Sequence, residues 1–83
     1  MAGYHITEIV KGDVGELSKI LEEVHEAIDA EKQNCSLMVL LELSDVMGSI
    51  EMYLEKHHPN TSLEDLKIMS NITRRAFESG NRS

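Results

Sequence analysis

Two short acidic blocks, Glu22-Glu23-Val24-His25-Glu26 and Glu42-Leu43-Ser44-Asp45, hold the residues best suited to chemistry in this chain. On a helix, residues three apart share a face with Cβ atoms about 5–6 Å apart, so Glu23/Glu26 and Glu42/Asp45 would each be neighbours. Carboxylate oxygens are hard donors that suit Mg²⁺, with Mn²⁺ as a substitute. Glu42 and Asp45 fall among Met38, Leu41, Ser49 and Met52. Desolvation and mutual repulsion both disfavour such a charged pair unless something positive neutralises it. A divalent cation is one answer; a wet helix edge, where the acids are simply solvated, is the other. For Glu23 and Glu26, periodicity alone points to a solvated polar face, because both lie off the apolar stripe of their segment. Convergence of the two pairs on one point requires the two segments to pack as a helical hairpin.

The elements that must position these residues are legible from spacing. Residues 4–10 alternate loosely and carry β-branched side chains, which predicts an extended arm over 1–12, interrupted at Lys11-Gly12 before Asp13, a polar residue able to cap a helix. From Asp13 the apolar positions Val14, Leu17, Leu21, Val24 and Ile28, widened by Ile20 and Ala27, predict a first helix to about Glu31. Lys32-Gln33-Asn34 reads as a polar turn, with Asn34 or Ser36 as the cap of a second helix over about Cys35–Lys56. Val39, Leu43, Val46, Ile50 and Leu54 cover one side of that helix and Met38, Leu41 and Met52 much of the other, the pattern of a buried helix. His57-His58-Pro59 stops it, since proline disfavours helix in the residue before it and lacks a backbone donor. Thr61-Ser62-Leu63-Glu64 has the form of a capping box, and Leu63, Leu66, Met69, Ile72, Ala76 and Phe77 continue a third helix to Gly80. The fold class expected is all-α, a single domain over 1–83 made of a helical hairpin plus a third helix.

With 83 residues, one domain is the limit, and a composition of 41% hydrophobic and 28% charged residues is that of an ordinary globular domain. No run approaches the roughly 18 apolar residues of a membrane span, and no basic-then-apolar leader opens the chain. A soluble cytoplasmic protein with no membrane partner is expected, and the lone Cys35 fits a reduced compartment. The net charge of −7 is uneven: residues 1–66 hold four Lys/Arg against fourteen Asp/Glu, and residues 67–83 hold four against one. An acidic body repels nucleic acid polymers, whereas a basic end can meet phosphate. Lys67, Asn71, Arg74 and Arg75 fall on one or two adjacent faces of the third helix, and guanidinium groups match phosphate oxygens by paired hydrogen bonds. Basic residues favoured by the dipole of a last helical turn are the plainer reading of each taken singly. His57 and His58 read as dipole-favoured residues at a helix end. Glu22-x-x-His25 and Glu55-x-x-His58 have di-iron spacing, but lack the partner glutamates such a bundle site needs.

The ordered pair of blocks, EEVHE followed by ELSD, resembles the signature of the all-α nucleotide pyrophosphohydrolases of the MazG type, which include dimeric dUTPases and phosphoribosyl-ATP pyrophosphohydrolase. The resemblance spans about residues 11–82, and the KGDVGELSKILEE opening and MSNITRRAFESGNR ending look like small phage-encoded members, which would act in a host cytoplasm. It implies a metal site of Glu23, Glu26, Glu42 and Asp45 for Mg²⁺. It further implies Glu22 or Glu26 as the carboxylate that orients or deprotonates water, and Lys67, Asn71, Arg74 and Arg75 as ligands of the outgoing pyrophosphate. The implied activity cleaves a (d)NTP between its α and β phosphates. His25 stands where the family usually has Gly or another small residue, a departure that bears on the substrate pocket.

Three helices with a middle one apolar nearly all round cannot cover themselves, so a homodimer or homotetramer is expected to complete the bundle. The five Met read as core or interface filling. A non-catalytic acidic helical oligomerisation module is the alternative from a different class.

Overall fold

The computed structural model describes residues 5–78 and is all-helical: α1 spans Leu17–Lys32, α2 Ser36–His57 and α3 Leu63–Glu78. Tyr4, Gly80 and Arg82, which figured in the expected arm and helix end, lie outside the described residues. The first two helices form the expected hairpin along their lengths, whereas α3 packs against α2 and, among the described residues, not against α1. The molecule is elongated, 45 × 30 × 20 Å.

Helix α1 begins four residues later than its apolar stripe predicts. Residues 13–16 form a turn closed by the Glu16 N–H donating to the Asp13 carbonyl (3.0 Å), and Gly15 sits at φ +85°, where a side chain would be strained. Asp13 does not cap the helix; its N–H donates to the Ser18 hydroxyl (3.0 Å). Glu16 holds the cap position and its carbonyl accepts the Lys19 N–H (3.1 Å), but its side chain makes no cap bond, because its carboxylate reaches instead to Lys56 and His57 Nε2 (2.9 Å) at the end of α2. That pairing ties the two ends of the hairpin together.

The turn between α1 and α2 also differs from expectation. Asn34 does not cap α2; it closes α1, in the left-handed region at φ +58°. The Cys35 N–H returns to the Ala30 carbonyl (3.2 Å) and the Asn34 N–H to the Glu31 carbonyl (2.9 Å), the paired bonds of a Schellman ending. Asn tolerates this conformation better than most residues with a side chain. Helix α2 then starts from Cys35 with no side-chain cap, so Ser36 does not cap it either. The capping box of α3 is displaced by one residue. The Ser62 N–H donates to Asp65 Oδ2 (2.8 Å) and the Asp65 N–H to Ser62 Oγ (3.2 Å), so Ser62 and Asp65 make the reciprocal pair predicted for Thr61 and Glu64. Both are the Ser/Thr-x-x-acid pattern, and periodicity does not separate neighbouring frames.

The expected core lies only partly within one chain: along α2, Leu54 is buried and Val39, Val46 and Ile50 are half-buried. The stripe Val14, Leu17, Leu21, Val24 and Ile28 faces outward, and so do Leu40, Leu41, Leu43, Met47 and Met52 of the helix expected to be buried. Among the described residues the buried apolar side chains are Ala27, Ala30 and Leu54, and Glu22, Glu23, Asp29, Glu42 and Ser49 are buried with them. One chain exposes 6275 Å², against about 5000 Å² for a compact monomer of this mass.

The displaced cap is testable. Ser62→Ala should destabilise the protein by about 1 kcal/mol, lowering the melting temperature by roughly 4–8 °C for a domain of this size. Thr61→Ala should stay within about 0.5 kcal/mol. Thermal unfolding followed by circular dichroism checks both, and the reverse ranking would restore the frame read from sequence.

Candidate metal centre

The hairpin brings all five acids of the two blocks together. Glu22, Glu23 and Glu26 of α1 offer oxygens within 4.8 Å of one another, and so do Glu23 of α1 with Glu42 and Asp45 of α2. Glu23 belongs to both groups. Glu22, Glu23 and Glu42 are 2%, 6% and 3% exposed, Glu26 is half-buried and Asp45 opens to solvent, so the cluster has a deep side and a wet mouth. The solvated-face reading of Glu23 and Glu26 is thereby corrected. The face of α1 turned to its partner carries Glu22, Glu23, Ala27 and Ala30 at helical spacing, and small residues there let the backbones approach while the longer acids fill the space.

Two acids act as anchors for the N-terminal arm. Asp29, the most deeply buried side chain, accepts hydrogen bonds from the Ile6 N–H, the Thr7 N–H (2.7 Å), the Thr7 hydroxyl (2.6 Å) and Gln33 Nε2 (2.6 Å). Burial pushes its carboxyl up, but these donors, led by the Thr7 hydroxyl, outweigh burial and hold it below the usual carboxylate range. Seven residues earlier, on the same face, Glu22 Oε1 accepts the Gly12 N–H (2.9 Å). A Cβ at Gly12 would run into the backbone of Ser18 and Lys19, so only glycine brings the arm this close. The arm therefore runs along α1 from Asp29 back to Glu22, and His5 Nε2 lies 3.6 Å from Glu26 Oε1 between them.

The charges of the cluster are unequally stabilised. Glu22 is pulled down to about 2, chiefly by the Gly12 N–H, with burial opposing and Lys19 and Glu26 assisting. Glu26 is pushed up to about 7 by burial first, then by its hydrogen bond with Glu22 and the negative charges of Glu23 and Glu42. Burial also raises Glu23, as do Asp45, Glu22 and Glu42, against the pull of Lys19. The pair Glu22 and Glu26 is therefore polarised, with Glu26 the more easily protonated of the two. Glu23 Oε2 is buried and has no hydrogen-bond partner, a placement that carries a desolvation penalty unless a cation occupies the neighbouring space.

Lys67, Asn71, Arg74 and Arg75 are exposed on α3, which does not touch α1, and among the described residues none of them bonds to the acidic cluster. The cations that do reach it are Lys19, with Nζ 3.1 Å from Glu22 Oε2 and 3.5 Å from Glu23 Oε1, and Lys11, 3.6 Å from Glu22 Oε2. The signal for Lys19 was available, because it precedes Glu22 and Glu23 by three and four residues on one helix. The signal for Asp29 was the ladder Glu22, Glu26, Asp29 at helical spacing, which marks one acidic face rather than scattered charges. The histidines of the di-iron spacings stay out: among the described residues neither metal-capable group includes a histidine.

The raised pKa of Glu26 sets a pH dependence. Its folded value of about 7 exceeds the unfolded 4.5, so the contribution of its protonated form is fully present below about pH 4.5 and is lost as pH rises toward 7. In metal-free buffer the melting temperature should therefore fall between those two values. Glu26→Gln, which keeps a donor for Glu22, should flatten that window; an unchanged slope would show that Glu26 ionises normally.

Against known proteins the chain matches no family model, no curated protein and no solved structure.

Proposed function

We propose that this protein is a Mg²⁺-dependent nucleotide pyrophosphohydrolase that cleaves a (d)NTP between the α and β phosphates to a (d)NMP and pyrophosphate. The observation that carries the proposal is the Glu23 carboxylate, shared by two acidic groups and holding one buried oxygen without a partner. The hard carboxylate donors Glu23, Glu42 and Asp45, with Glu26 joined to them through Glu23, are a donor set suited to Mg²⁺, and Mn²⁺ should substitute. When bound, the ion would offset charge on the phosphoanhydride and lower the pKa of an attacking water.

The remaining roles belong to the chain's own groups. Glu22 has both oxygens engaged by Gly12 and the two lysines, which suits it to holding the arm rather than water. Glu26, titrating near 7, is matched to taking a proton at neutral pH. The resemblance of the EEVHE and ELSD blocks to MazG-type enzymes, small phage members among them, supports the same assignment.

Assembly belongs to this reading. The outward stripes of α1 and α2, with Val24, Ile28, Leu43 and Val46 lining a shared apolar groove, form the face a second copy would cover. The surface in excess of a compact monomer is of the size that obligate dimers bury. In a homodimer or homotetramer, Lys67, Asn71, Arg74 and Arg75 would serve the carboxylates of a neighbouring copy and bind the outgoing pyrophosphate. The separation of those residues from the acids within one chain is also the observation that favours the rival reading, a non-catalytic oligomerisation module.

Two experiments separate these readings. A screen of ordinary and modified (d)NTPs with Mg²⁺ should yield pyrophosphate from at least one. Glu42→Gln or Asp45→Asn, folded by circular dichroism, should lose more than the roughly 10- to 100-fold that removal of an outer-shell partner costs a metal site. No release from any nucleotide favours the module. In analytical ultracentrifugation the wild type should sediment as an oligomer, and Leu43→Glu should shift it to monomer with loss of activity. An active, concentration-independent monomer would contradict the assembly.

A further inference from the structure

The two acidic groups that meet at Glu23 do not stand in equal need of a cation. The group on α1 alone, Glu22, Glu23 and Glu26, already lies against a positive charge. Lys19, one turn earlier, places Nζ 3.1 Å from Glu22 Oε2 and 3.5 Å from Glu23 Oε1, and its side chain is only 27% exposed. Glu22 Oε1 is taken by the Gly12 N–H, and Lys11, far more exposed than Lys19, adds a second ammonium 3.6 Å from Glu22 Oε2. Glu23 is thus divided: Oε1 faces Lys19, while Oε2 is buried with no hydrogen-bond partner.

We infer that Lys19 is a built-in counter-cation that fills the α1 group, so that without nucleotide the protein takes one divalent ion per chain, at Glu23, Glu42 and Asp45. This rests on the metal-centre reading above and assigns the metal stoichiometry to a residue outside the ligand set. The physical cause is competition. An ammonium within bonding distance of two carboxylates occupies the space a second ion would need, and its charge repels an ion on the shared Glu23. Lys19 is a positioning residue in this role: it keeps Glu22 turned toward the arm and leaves one oxygen of Glu23 for the ion.

The test uses the full chain with no nucleotide present. Mg²⁺ titration by calorimetry should give one ion per chain for the wild type and for Lys19→Arg. Lys19→Gln should bind two, the first roughly tenfold or more tighter because a like charge nearby is gone. Two ions in the wild type, or one ion at unchanged affinity in Lys19→Gln, overturns the role of Lys19 and leaves the metal centre standing. No ion in any form overturns the metal centre itself and this inference with it. Should Lys19→Gln fail to fold, electron paramagnetic resonance of Mn²⁺ in the wild type decides: an isolated ion supports the inference, and a spin-coupled pair refutes it.

Discussion

Buried carboxylates share the space between α1 and α2 with a few small apolar side chains, and the rest of the structure follows from what that demands. Glu22, Glu23, Asp29 and Glu42 are all buried at that seam or beside it. Each buried carboxylate must be answered by a donor, a proton or a cation. Asp29 is answered by the arm and Gln33, and Glu22 by Gly12 and lysine, while burial and the neighbouring carboxylates favour a proton on Glu26. Glu23 is answered on one oxygen only. The arm, the glycine that lets it approach and the lysine one turn upstream are thus parts of one electrostatic arrangement whose remaining deficit is a positive charge at Glu23.

The same constraint explains the outer surface. With acids inside, the stripe of α1 and much of the apolar surface of α2 turn outward, and among the described residues the fully buried apolar side chains are Ala27, Ala30 and Leu54. So small an apolar core contributes little toward the conformational entropy lost on folding. Covering the outward face with a second copy would supply the missing burial and leave the carboxylate seam intact, which places the acids at the centre of each hairpin and the apolar contact between hairpins. Stability and the metal centre are then coupled through the packing of α1 on α2.

Much of this was legible in the residues. Three helices and the stop before Pro59 follow from spacing and turn chemistry, whereas the convergence of the EEVHE and ELSD blocks depends on how α1 packs on α2, which spacing does not give. What spacing does not give is which face of an amphipathic helix turns inward when both faces have a partner to find. Val14, Leu17 and Leu21 read as core because apolar residues normally are, and in one chain they are not. The start of α1 was misplaced because the stripe runs through Gly15, whose positive φ breaks the helix where hydrophobicity continues. Asn34, one of two candidate caps of α2, closes α1 instead, because an Asn between two helices can cap the second or close the first and only the backbone distinguishes them. Asp29 escaped notice because its partners, Ile6 and Thr7, are distant in sequence and bond mainly through main-chain groups that no motif encodes.

The central claim is that the acids at this seam hold a divalent ion. Crystals grown with Mn²⁺ and measured at the manganese absorption edge test it most directly. The account predicts an anomalous peak between Glu23, Glu42 and Asp45, with carboxylate oxygens at roughly the 2.0–2.2 Å of a hard-cation site. A seam with no such peak, its carboxylates held by protein donors and water alone, would contradict it.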